Sequence, residues 1–155
     1  MKTIKKMIMI LLVTIVANNI HAQKVNTDEN KLANKGYDVV NYFITNTAKQ
    51  GSVEFSTTHK EAIYYFVNAE NLRVFKENPT AYLPQFDGHC AFAVAKMNTR
   101  APVNPETFRI DDGKLYLFYN DFWEGKPFNT IIPWLHNEAE MEKTATTNWK
   151  ALKNN

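Results

Sequence analysis

The chain contains a single cysteine, Cys90, directly after His89. A thiolate is a strong nucleophile and a soft-metal ligand. Cys90 lies near the start of a stretch, residues 88–97, whose apolar pattern predicts a helix. A thiol in the first turn of a helix meets free backbone N–H groups and the positive end of the macrodipole, which favour the anion. His89 can add positive charge or act as a base, whereas the Asp87 carboxylate opposes the thiolate by like charge. Cys90 is therefore the candidate catalytic thiol and His89 the candidate assisting base. The competing reading is a small buried residue, because free cysteine is among the most buried residue types.

His59 and His136 join His89 as the histidines beyond the first 22 residues. With Cys90 they number four N/S donors, enough for a tetrahedral metal site. The spacing does not enforce one, since helical neighbours point about 100° apart. Cys90 and His89 remain weak candidates for metal ligands, with a transition metal as the cofactor they would suit. The aromatics Tyr42, Phe43, Tyr64, Tyr65, Phe66, Tyr82, Phe86 and Phe92 read first as core and second as a pocket lining. No Ser/His/Asp set, phosphate-cradling glycine loop or carboxylate pair stands out. Asp111 and Asp112 fit a hairpin turn. Residues 138–143 read as a solvated charged helix face.

The elements that would position these groups follow from periodicity. Residues 53–57 alternate apolar and polar, and 63–67 form a β-branched and aromatic run, so the two predict a hairpin closed by 58–61. Residues 69–78 carry Ala69, Leu72 and Phe75 at helical spacing, and Pro79 stops that helix. Residues 108–110 and 115–119 flank Asp111-Asp112-Gly113 as a second hairpin. From 133 to 152, Trp134, Met141, Ala145, Trp149 and Leu152 recur as one closing amphipathic helix or two. Short hairpins alternating with short helices predict a small α+β domain.

Tyr64-Tyr65-Phe66, the helix ending in Phe75, Asn78-Pro79 and Tyr82-Leu83 together resemble the YHS domain family, with Asp38 matching that family's starting Asp. Gly88-His89-Cys90-Ala91, Asp112-Gly113-Lys114-Leu115-Tyr116-Leu117 and Asn120 look like its exported subfamily. Some members of that subfamily carry selenocysteine at the position matching Cys90. The resemblance implies a YHS-like core followed by a C-terminal amphipathic helix. One departure counts against metal handling. Short YHS modules of metal-handling proteins carry cysteines at the positions occupied here by Asn41, Val67 and Asn71, and those thiolates are what would select a soft metal.

Lys2, Lys5 and Lys6, an apolar run over 7–16 and the small residue Ala22 have the order of a cleavable signal peptide. The run is too short for a bilayer, which needs roughly 20 apolar residues. The expected organisation is a signal peptide over 1–22, a flexible leader over 23–35 and a YHS-like domain over 36–152. Export would place the protein in the periplasm or outside the cell, not spanning the membrane after cleavage. Removal of three lysines takes the 18 Lys and Arg to 15 against 16 Asp and Glu, a formal charge of −1. That balance leaves no basic stripe for nucleic acid. A lone cysteine also excludes an internal disulfide.

Three functions compete on these residues. The first is a non-catalytic module that binds a small ligand or a metal ion near Cys90. The second is a thiol-dependent redox protein in which Cys90 needs an external resolving thiol. The third is a structural or interaction domain with an inert cysteine.

Overall fold

Three hairpins organise the described residues, and each closes through a two-residue turn whose central residues both have positive φ. In the computed structural model, which describes residues 25–154, strand β1 (Ser52–His59) meets β2 (Ala62–Phe66) through Lys60 and Glu61, at φ 48° and 65°. Strand β3 (Asn104–Asp111) meets β4 (Lys114–Phe118) through Asp112 and Gly113, at 45° and 68°. Strand β5 (Asn120–Trp123) meets β6 (Lys126–Asn129) through Glu124 and Gly125, at 49° and 77°. This backbone matches the right-handed twist of antiparallel strands, and glycine in its second position removes the steric penalty in two of the three turns. The three pairs form separate two-stranded sheets.

The helices are short apart from the last: α1 (Asn41–Thr45), α2 (Ala69–Glu77), α3 (Ala91–Met97), α4 (Ile131–Leu135) and α5 (Glu138–Leu152). The α+β reading therefore holds, and the C-terminal region is two helices. Helix α2 is capped by Asn68, whose side chain accepts from the Asn71 N–H at 2.8 Å. That bond satisfies one of the free donors at the helix start. Phe75 of α2 is fully buried against Tyr64 and Phe66 of β2, with ring centroids 5.2 and 5.0 Å away. Ala69, expected on the same inward face, is exposed.

Strand β4 is the centre of the C-terminal half, with Leu115, Tyr116, Leu117 and Phe118 all buried. Alternation sends them to two faces. Leu115 and Leu117 pack with Tyr42, Cys90, Ala93 and Val103, while Tyr116 and Phe118 pack with Trp134, Val94, Met141 and Ala145. Helix α3 supplies residues to both clusters.

Two expectations change. The leader expected to be loose over 23–35 is tied down where it is described. Ala33 donates to the Ile63 carbonyl at 2.9 Å, Ile63 donates back to Lys31 at 2.8 Å, and Ala33 is buried. Pairing with the open edge of β2 satisfies backbone groups that would otherwise lack partners. The helix expected to begin at 88 begins at Ala91, because Phe86 and Asp87 adopt left-handed backbone at φ 55° and 51°. The β5–β6 hairpin fills residues 120–129, a stretch for which the sequence pattern predicted no element. The signal-peptide reading of 1–22 lies outside the described residues. Among those described, no helix is long and apolar enough to cross a membrane.

Candidate functional site

Cys90 is the N-cap residue of α3, one position before the first turn in which it was expected, and it has no solvent exposure. Its backbone N–H donates to the Ala101 carbonyl at 3.1 Å, which ties the helix start to the chain returning after α3. The sulfur lies in a small polar ring. The Tyr119 N–H donates to Cys90 Sγ at 3.3 Å, and Thr130 Oγ1 lies 3.4 Å from the same sulfur. The Thr130 hydroxyl donates to the Tyr119 carbonyl at 2.9 Å. A hydroxyl has one proton. With that proton committed to Tyr119, the thiol is the donor in the Cys90–Thr130 contact. The sulfur thus both gives and accepts a hydrogen bond.

Above this ring lies a cavity of about 720 Å³. One wall is α3 and the segment after it, through Phe92, Ala93, Met97, Thr99, Arg100, Ala101 and Pro102. The other wall is the β5–β6 hairpin, through Trp123, Glu124, Lys126, Pro127 and Phe128, with Tyr119 beside it. Phe92 and Phe128 meet edge to face across the walls at 6.1 Å, and Tyr119 and Trp123 meet edge to face within the hairpin wall at 6.4 Å. Burial grades the cavity from bottom to top. Cys90, Ala93 and Thr130 are buried, while Met97 and Trp123 are 54% and 52% exposed. The cavity therefore has a closed floor at Cys90 and a mouth between Met97 and Trp123.

His89 does not line this cavity. Its ring lies 5.9 Å from that of Trp149 on α5, and its backbone N–H donates to the Phe86 carbonyl at 3.0 Å. Adjacent in sequence, His89 and Cys90 thus serve different packing faces. His59 lies at the end of β1 with its ring 5.9 Å from Phe75, and His136 is exposed after α4. Burial and the neighbouring Lys60 hold the His59 imidazole below its ordinary pKa. Among the described residues, no three His, Cys, Asp or Glu side chains group so as to hold a metal ion.

Asn41, Val67 and Asn71 do converge, on the fully buried Asp38. Asp38 Oδ1 accepts from the N–H groups of Val40 and Asn41 at 2.8 and 3.1 Å. Oδ2 accepts from the Val67 N–H at 2.9 Å and from Asn71 Nδ2 at 2.7 Å. A carboxylate can be buried when its lone pairs are satisfied in this way. The positions where a metal-handling module would place thiols here form a hydrogen-bond hub.

The charged face expected on α5 is only partly solvated. Glu138 receives both Arg109 Nε and Nη2, at 3.0 and 3.1 Å, and Glu142 receives Lys114 Nζ at 2.8 Å and the Tyr116 hydroxyl at 2.5 Å. These bonds fasten α5 across the β3–β4 hairpin. The aromatics read first as core divide. Tyr42, Tyr64, Phe66 and Phe86 are buried, whereas Phe92 lines the cavity. The lining aromatics Tyr119, Trp123 and Phe128 were missed, and the Glu124-Gly125 pair between aromatic-bearing segments was the available signal.

Compared with known proteins, the chain matches no family model, and neither a curated protein nor a solved structure matches it significantly.

Proposed function

We propose that this protein is an exported, non-catalytic binding module, YHS-like in its motifs, which holds a small organic ligand between α3 and the β5–β6 hairpin with Cys90 in the floor. The cavity carries this reading. Its volume of about 720 Å³ falls within the range of roughly 300–1,000 Å³ usual for small-molecule sites. Its walls are largely aromatic and aliphatic, with few polar groups, which is the ordinary composition of such a site. The donor set favours an organic ligand over a metal ion, since the floor presents one thiol and one hydroxyl, each already hydrogen-bonded. A redox role would require the sulfur to reach a partner thiol, and the sulfur is fully enclosed.

Nile red, a neutral apolar dye, tests the reading. Titration should give saturable fluorescence, and Ala93→Phe, which fills the floor, should abolish it. Trp123→Ala should weaken binding about tenfold, the effect of roughly 1.4 kcal/mol of lost contact. Absence of saturable binding, or binding unchanged in Ala93→Phe, would remove the cavity as the site.

A further inference from the structure

The cavity is polar at opposite ends in different ways, and this difference selects a ligand class. At the floor, every donor is spent within the protein. The Cys90 thiol donates to Thr130, Thr130 to the Tyr119 carbonyl, and the Tyr119 N–H to Cys90. A polar group pushed down to that ring would have to break one of these bonds or remain unpaired in a dry site, and either is unfavourable. The mouth is different. Lys126 pairs with Trp123 across the hairpin, on the side that lines the cavity. It is exposed and makes no salt bridge among the described residues. Arg100 lies in the opposite wall, fixed by its bond to the Leu152 carbonyl at 2.6 Å and by its place over the Trp149 ring. The anion of the lining, Glu124, is in the turn at the hairpin tip, beyond the paired strand residues. Lys126 and Arg100 against Glu124 give the cavity lining a formal excess of one positive charge.

We infer that the ligand is an amphipath with one anionic head and an unbranched or aryl apolar body, its tail on the Cys90–Thr130 floor and its head at Lys126. This inference rests on the binding reading above and adds charge and orientation to it. Lys126 supplies the mobile contact, since a lysine ammonium is a flexible point charge. Arg100 supplies a fixed field.

Displacement of Nile red at pH 7.5 and low salt separates the two levels. Three competitors of one chain length are compared: dodecanoate, dodecylamine and 12-hydroxydodecanoate. Dodecanoate should compete about tenfold better than dodecylamine, and Lys126→Glu should reverse that order. Lys126→Gln, a milder change, should narrow the gap. The 12-hydroxy acid should compete about tenfold worse than dodecanoate, because its hydroxyl would end at the saturated floor. An amine that competes as well as the acid overturns the charge assignment. A hydroxy acid equal to dodecanoate overturns the orientation. Nile red that binds but is displaced by none of the three removes this inference and leaves the binding module standing, whereas failure of Nile red itself removes both.

Discussion

Asn71 donates from Nδ2 to Asp38 Oδ2 at 2.7 Å across 33 residues of sequence, and both side chains are buried. This contact joins α2 to the segment that leads into α1. Asp38 is also the acceptor for the N–H groups of Val40, Asn41 and Val67. Replacement by Ala leaves four donors without their charged acceptor. Bonds to a charged group contribute about 1.5–3 kcal/mol each and do not add fully. Asp38→Ala should therefore lose about 3–5 kcal/mol in urea unfolding, and Asn71→Ala less. A loss below about 1 kcal/mol for Asp38→Ala would mean that the hub does not hold the fold together.

Phe75 is fully buried between β2 and α2. Phe75→Ala should destabilise the protein by about 3–5 kcal/mol, the usual cost of emptying an aromatic core site. Denaturant midpoints at constant m-value would show it. A surface-sized change would contradict the packing of the hairpin on α2.

Cys90 should react slowly with iodoacetamide in the folded protein and rapidly once unfolded, because its sulfur has no exposure. Ligand that fills the cavity should slow labelling further. Cys90→Ala should cost about 1–3 kcal/mol, since the Tyr119 N–H loses its acceptor in a buried site. Fast labelling of folded protein, at a rate close to that of the unfolded chain, would reopen the redox reading.

The bonds from Lys114 and Tyr116 hold the Glu142 carboxyl below its ordinary range. A depressed folded pKa gives stability that is fully present above the unfolded value of about 4.3 and is lost as pH falls through the folded value. The Glu142 carboxylate raises the pKa of Lys114 by hydrogen bonding, and burial first, then Glu142, raises that of Tyr116. Raised pKa values act in the opposite direction, with stability lost as pH climbs above about 10. Glu142→Gln should flatten both limbs of a stability–pH curve followed by thermal unfolding. The half-exposed Lys114 keeps the effect modest. Unchanged limbs would place the pH dependence elsewhere.

Native mass spectrometry before and after chelation should show no stoichiometric metal, because thiols are replaced at Asn41, Val67 and Asn71. A metal lost together with Cys90→Ser would instead make Cys90 a ligand.

What the sequence determined by itself was local. Alternation and β-branching placed the β1–β2 strands, Asp112-Gly113 placed a turn, and Pro79 and the apolar period of 133–152 bounded helices. These signals act within a few residues, so they need no partner elsewhere. Cys90 could be singled out by type alone, but the decision between an exposed thiolate and an enclosed thiol rested on Tyr119 and Thr130, 29 and 40 residues away. The left-handed backbone at Phe86 and Asp87, which moved the helix start past Cys90, carried no glycine signal at those positions. The cavity was not legible in the same way. Gly125 could mark a turn, but the short hairpin around it becomes a cavity lining only by folding over α3. Tertiary structure also decided the roles of Asn41, Val67 and Asn71. Composition shows that their thiols are absent, but only the folded chain brings all three to the Asp38 carboxylate, where long-range donors offset the cost of burying a charge.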